Sequence, residues 1–113
     1  MWEANALNQA GWCAAHLGDH DTARAHCQAA LTLHRDHDNP AGTAASLHTL
    51  GCAEHYDGHH DRAVDLHRQA LVLRRELGDT YRCADSLDRL GDPLTALGRH
   101  DEARAAWQEA LKL

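Results

Sequence analysis

The sequence predicts an all-α fold, a solenoid of three helical hairpins, and three observations carry that prediction. First, Leu7, Gly11, Gly18, His20, Asp21, Ala23, Ala30, Leu31 and Leu33 each recur 40 and again 80 positions later. Nine such columns without a gap mean that one structural unit has been copied, and fixed periods of roughly 20 to 50 residues mark stacked-repeat architectures. Second, the apolar and small residues inside each unit follow the stripe spacing of a helix. Third, a glycine-bearing turn such as Asp57-Gly58-His59-His60 divides each unit into two segments.

The elements follow in order. In the first unit the stripe predicts helices over about 4–17 and 21–36, in the second over about 40–57 and 61–77, and in the third over about 80–97 and 101–113. The middle unit is the clearest, with Leu47, Leu50, Gly51 and Ala53 in its first segment and Ala63, Val64, Leu66, Ala70, Leu71 and Leu73 in its second. Asp21, Asp61 and Asp101 stand where an acidic residue caps or complements the start of each second helix. Asn39-Pro40 supplies a cap followed by proline at the first helical position, and Gly78-Asp79 supplies a stop followed by a new cap. These joints divide a single domain, 1–113, into repeats of about 4–39, 40–79 and 80–113. Pro93 falls inside the first helix of the third unit, where its missing N–H is expected to bend or shorten the helix near Arg89 to Pro93.

Composition bounds the function. With no Phe and three Trp, the core must come from Ala and Leu at close helix contacts. A net charge of -6 and a pI near 5.9 argue against nucleic acid, which needs a clustered basic face. No apolar run approaches the roughly 20 residues that span a bilayer, and Met1-Trp2-Glu3 lacks a signal peptide's basic and apolar regions. The expectation is a cytoplasmic protein with no membrane and no cofactor. Cys13, Cys27, Cys52 and Cys83 form no CxxC pair and are expected to be reduced, small and buried.

The spacing Leu-x3-Gly-x6-Gly-x4-Ala-x6-Ala-Leu resembles the tetratricopeptide repeat, in three copies over nearly the whole chain. The unit is similar to the longer, 40-residue variety of Pins-type polarity adaptors and large bacterial regulators. The third copy, from Leu90-Gly91-Asp92 to Ala110-Leu111, resembles repeats in SARP-type antibiotic regulators and STAND-type ATPases. The resemblance implies about six antiparallel helices in a right-handed superhelix. It also implies a non-catalytic protein-interaction module, part of a larger bacterial regulatory protein. Cys27, His67 and Trp107 share a column that is usually aromatic in the family, so the first two hairpins are expected to pack less tightly than the third.

In that family the first helices of successive hairpins line a concave groove. The resemblance carries this role onto Asn5, Asn8, Trp12 and His16 in the first unit, and onto Ala45, His48, Cys52, His55 and Tyr56 in the second. In the third it falls on Asp85, Asp88, Asp92 and Thr95. Asn8 and Trp12 are the expected anchors, since an amide holds a peptide backbone and a Trp offers rigid contact area. The bland reading has Trp12 covering a helix seam and the aspartates forming a solvated face. The three aspartates would favour Lys or Arg on a protein or peptide ligand. The family's basic clamp on a terminal carboxylate is not reproduced, because Asn8, His48, His55 and the aspartates stand at its positions. The alternative function is self-association without a groove ligand. A homodimer through the third hairpin is expected, because the last repeat carries no further capping helix.

Eleven histidines raise a metal-binding reading, with His16/His20, His34/His37 and His55/His59 about one helical turn apart. Against it, His20, His60 and His100 belong to the repeat, and stacked units set them too far apart to share an ion. Metal ligands are therefore not expected. Several histidines are expected to charge between about pH 7 and 5.5. No phosphate loop, GxSxG or HExxH occurs, so no enzymatic role is expected. The small columns make one stability prediction: Ala63→Leu holds two helices apart and costs more than ~1 kcal/mol, read as a lower melting temperature.

Overall fold

Every twentieth residue from Gly18 onward takes a left-handed backbone: Gly18, Asp38, Gly58, Gly78 and Gly98, with φ of 82°, 48°, 82°, 69° and 77°. Each closes a helix. The N–H two residues past the last full turn returns to a carbonyl five residues back, as in Asp19 to Ala14 (2.9 Å), Asn39 to His34 (2.8 Å), His59 to Glu54 (2.8 Å), Asp79 to Arg74 (3.0 Å) and Arg99 to Leu94 (2.9 Å). This Schellman closure needs positive φ at its centre, which glycine adopts freely and Asp tolerates. The computed structural model describes residues 2–113, and the helices are α1 Trp2–His16, α2 His20–Asp36, α3 Pro40–Tyr56, α4 His60–Glu76, α5 Thr80–Ala96 and α6 His100–Leu111. The backbone thus repeats every 20 residues, inside the 40-residue repeat of side chains.

The expected caps at Asn39 and Asp79 hold, and two other expectations about helix ends are narrowed. The caps lie at Asp19, Asn39 and Asp79, whose side chains accept from the N–H of Thr22, Gly42 and Arg82 at 3.3, 3.1 and 3.1 Å. Asp21, Asp61 and Asp101 sit inside the first turn, where they act through charge on the helix dipole and not as caps. Pro93 does not shorten its helix, because α5 spans the same 17 residues as α3.

The layers follow from which helices touch. Each helix packs on the next in sequence; α1 also packs on α3, and α3 reaches α5. The backbones of the even helices lie farther apart, and α4 and α6 meet through side chains alone, Arg75 with Glu109 and Arg68 with Glu102. A stack whose odd helices meet and whose even helices splay must curve with α1, α3 and α5 on its inner side. Among the described residues no helix is long and apolar enough to cross a membrane.

Each hairpin closes on a glycine. A β carbon at Gly11 would stand 2.7 Å from Cys27 Sγ, one at Gly51 2.9 Å from the His67 ring, and one at Gly91 would overlap the Trp107 indole. The column expected to be aromatic is therefore the side chain that lies on the facing backbone. Cys27 and His67 are 0% and 1% exposed, against 36% for Trp107. The next hairpin covers the first two, and no described helix covers the third. Cys13 departs from the expected burial for the same reason, since it is exposed while its counterparts Ala53 and Pro93 lie under the preceding hairpin.

Between hairpins, one position is built in two chemistries. Arg24 of α2 pairs with Glu54 and Asp57 at the end of α3, and Arg62 also reaches Glu54 at 3.0 Å. Forty residues on, the counterparts of Arg24 and Glu54 are Val64 and Leu94, both in the apolar core of the last two hairpins. Arg24→Ala leaves the buried Glu54 carboxylate with Arg62 and the neighbouring His59 and is expected to cost about 1–2 kcal/mol, less than for a fully buried pair because Arg24 is partly exposed. The double variant Arg24→Val, Glu54→Leu copies the second joint and is expected within about 1 kcal/mol of the parent, as measured by urea denaturation.

Candidate functional site

The inner face is the candidate site. On α1, Asn5 is exposed and Asn8 half-buried, its Oδ1 shielded from water without a hydrogen-bond partner among the described residues. Trp12 is half-buried and meets the exposed His16 edge-on at 4.3 Å between ring centres. His16 lies 5.6 Å from Tyr56, and Tyr56 lies 6.0 Å from His55. A row of rings therefore crosses from α1 to α3. From α5, the Arg89 guanidinium stands 5.8 Å from the centre of the Trp12 ring, a cation over an aromatic face.

The structure separates other residues that the resemblance grouped. His48 and Cys52 are 8% and 3% exposed, so they back the groove instead of offering a surface. Asp85 lies 3.9 Å from Arg89 and 3.7 Å from His48. Asp92 borders a cavity of about 60 Å3 with Cys52, His55, His67 and Arg89. Asp88 borders, together with Asp85, a surface shared with Tyr81, Trp107 and Leu111. Steps of three and four keep the three aspartates on one stripe of α5, but the stripe is not purely acidic, because Arg89 stands among them and Asp85 is engaged by Arg89 and His48. Sequence reading passed over Arg74, Arg82 and Arg89. Arg89 had a readable signal, since it shares its column with Gln9 and Thr49 on the odd helices. Arg74 sits on an even helix and reads as a solvated charge.

Burial sets the protonation of the middle hairpin. It pushes His67 down to about 3 and His48 down to about 4. Burial also lowers His34 and His55. Neutral His48 takes a contact from Arg74 at its Nδ1 (3.4 Å). His55 and His60 face each other Nδ1 to Nδ1 at 2.9 Å, which requires one ring to donate and the other to accept. Of the histidines expected to charge between about pH 7 and 5.5, burial therefore holds back His34, His48, His55 and His67. The same burial raises the Cys27 and Cys52 thiols to about 12 and about 11, leaving them poor nucleophiles.

Glu54, Asp57 and His59 bring three ligating atoms within 4.8 Å of one another. Arg24 occupies their centre: it pairs with both carboxylates, and its Nη2 lies 3.2 Å from His59 Nδ1. A cation already in place makes this an ion-pair clasp between hairpins and a poor fit for a metal. The histidine that His55 meets is His60, not His59.

Paired helices curved around an open inner face define a helical-repeat scaffold of the kind that presents a surface to another molecule. Residues 2–76 match one family model of the tetratricopeptide repeat and residues 83–113 match a second, so the chain belongs to the tetratricopeptide repeat family. Among solved structures it is similar to the TPR domain of Arabidopsis FLU. The TM-score is 0.90 at 16% identity, over 98% of this chain and 93% of that one. At that identity the likeness speaks for the fold alone. None of the curated proteins compared matches the sequence.

The buried histidines set the acid response. Above about pH 6.5 both folded and unfolded chains hold them neutral and no stability is lost. As pH falls below that value the unfolded chain takes up protons that folded His48 and His67 refuse, so stability declines toward their folded values. Between pH 7.5 and 5 the unfolding free energy is expected to fall by about 2 kcal/mol for each of the two. Replacing both with Gln should flatten the profile, measured as the denaturant midpoint against pH.

Proposed function

We propose that this chain is a non-catalytic protein-interaction module that holds an extended peptide segment of a partner along the inner face of α1, α3 and α5. One observation carries the reading: Trp12 stands half-open to solvent on the inner face of α1, with the half-buried Asn8 one helical turn away. A rigid aromatic gives contact area at small entropic cost, and an amide both donates to and accepts from a peptide backbone. Tyr56 and His16 extend the apolar strip across to α3. The third copy's resemblance to repeats of bacterial regulators supports a regulatory setting.

A second reading has its own support. Tyr81 and Leu111 are 84% and 87% exposed beside Trp107 on the outer end of the third hairpin, an apolar face of the kind that stacks on a further helix or a second copy. Self-association through that face leaves the inner side free and is compatible with the first reading.

The two separate by mutation. Peptides selected from a displayed random library on the intact chain are expected to bind Trp12→Ala at least about tenfold more weakly. The variant should keep the parent's helical signal, melting temperature and sedimentation. Unchanged peptide affinity, or a chain that no longer folds, removes Trp12 as the anchor.

A further inference from the structure

At the N-terminal ends of α3 and α5 the inner face sinks into a depression of about 270 Å3, bordered by Asn5, Asn39, Arg74, Asp79 and Arg82. Arg74 is the unusual member. It is 2% exposed, yet no carboxylate among the described residues pairs with it. Its Nη1 donates to Ser86 Oγ at 2.6 Å and approaches the Arg82 carbonyl and His48 Nδ1, both at 3.4 Å, while its Nε has no partner. A guanidinium taken out of water without a counter-ion destabilises the fold that holds it.

The internal repeat supplies a control for whether packing requires that cation. Forty residues earlier the same position is His34, equally buried and kept toward its neutral form by that burial. The counterpart of Ser86 is Ser46, also fully buried, whose hydroxyl has no hydrogen-bond partner. The first joint closes with neither a cation nor a satisfied serine. Stacking alone therefore gives no reason for Arg74.

The surroundings favour an anion. Arg82 adds a second, exposed guanidinium. Asp79 is the one opposing carboxylate of the depression, and it is engaged: Oδ1 caps α5 at the Arg82 N–H (3.1 Å) and Oδ2 lies 3.5 Å from Arg82 Nε. The positive ends of the α3 and α5 dipoles face the same place. Two guanidiniums against one committed carboxylate make a positive spot on a chain of net charge -6.

We propose that this depression receives the carboxylate of an Asp or Glu side chain from an extended partner peptide, with Arg74 and Arg82 donating to it and Asn5 holding the adjacent peptide backbone. The proposal rests on the groove reading above and names its ligand chemistry, which is the reverse of the basic peptide expected from Asp85, Asp88 and Asp92. Charge-assisted bonds to a planar guanidinium give direction as well as strength. The ligand's carboxylate would supply the counter-ion that Arg74 lacks in the free chain.

The test uses random dodecapeptides displayed through their C-termini, selected on the intact chain and remade as C-terminal amides. The selected peptides are expected to share an Asp or Glu at one position. Its change to Asn or Gln, Arg82→Gln and Arg74→Met should each weaken binding about tenfold or more. Arg74→Met should melt at or above the parent temperature, since it removes an uncompensated charge from a site that a methionine fills. Peptides that depend on Trp12 but ignore Arg82→Gln and their own acidic residue overturn the carboxylate site and leave the groove standing. Peptides indifferent to Trp12→Ala as well overturn both. A strong preference for the free-acid over the amide form overturns the side-chain assignment in favour of a chain terminus. An Arg74→Met variant that melts well below the parent makes Arg74 a packing residue and ends the proposal.

Discussion

The whole stack depends on one contact made three times, a side chain of an even helix lying directly on the backbone of the preceding odd helix at Gly11, Gly51 or Gly91. The absence of a β carbon there lets Cys27, His67 and Trp107 fill the seam of each hairpin. Any side chain at those glycines would push the two helices apart along their length, because interiors at crystal-like density cannot absorb the volume locally. Close hairpins then let Ala23, Ala63 and Ala103, each at most 1% exposed, sit where larger residues would not fit. The glycine column and the alanine columns are thus one requirement written on two helices.

Stacking the hairpins is a different problem, solved differently at each joint. Arg24 with Glu54 in the first joint becomes Val64 with Leu94 in the second, and the positions of His34 and Ser46 become Arg74 bonded to Ser86. The ionic version gains little net stability over the apolar one, because desolvating the charges offsets their attraction. Its effect is on order. Placing the third hairpin on the first would set Arg24 against Leu94 and leave Glu54 buried without its partner, so only one sequence of units satisfies both faces.

The fold was legible because its cause is periodic: nine columns at a spacing of 40 specify hairpin, seam and turn at once. The 20-residue backbone period was harder to see, since Asp38 stands among four glycines and the caps are a mixture of Asp19, Asn39, His59, Asp79 and Arg99. The site was far less legible. Burial of His48 and Cys52 depends on how closely α3 is flanked by α1 and α5, a distance that no single helix encodes. Asp85, Asp88 and Asp92 share a stripe of α5 as their spacing suggests, but Arg89 stands among them and pairs with Asp85. Arg74 looked solvated because surface arginines outnumber buried ones, and only its enclosure by α3, α4 and α5 makes it distinctive.

The separation of α2, α4 and α6 has a mechanical consequence. A bending motion about the inner row of helices meets, between α4 and α6, exposed ion pairs of Arg75 with Glu109 and Arg68 with Glu102, which resist weakly, so the ribbon behaves as a leaf spring hinged at its narrow edge. Its curvature is set mainly at the α1–α3 and α3–α5 seams, the second of which is the sparser. The third hairpin therefore has the greater compliance, and a guest lying along the channel would meet a stiff wall at one end and a yielding one at the other.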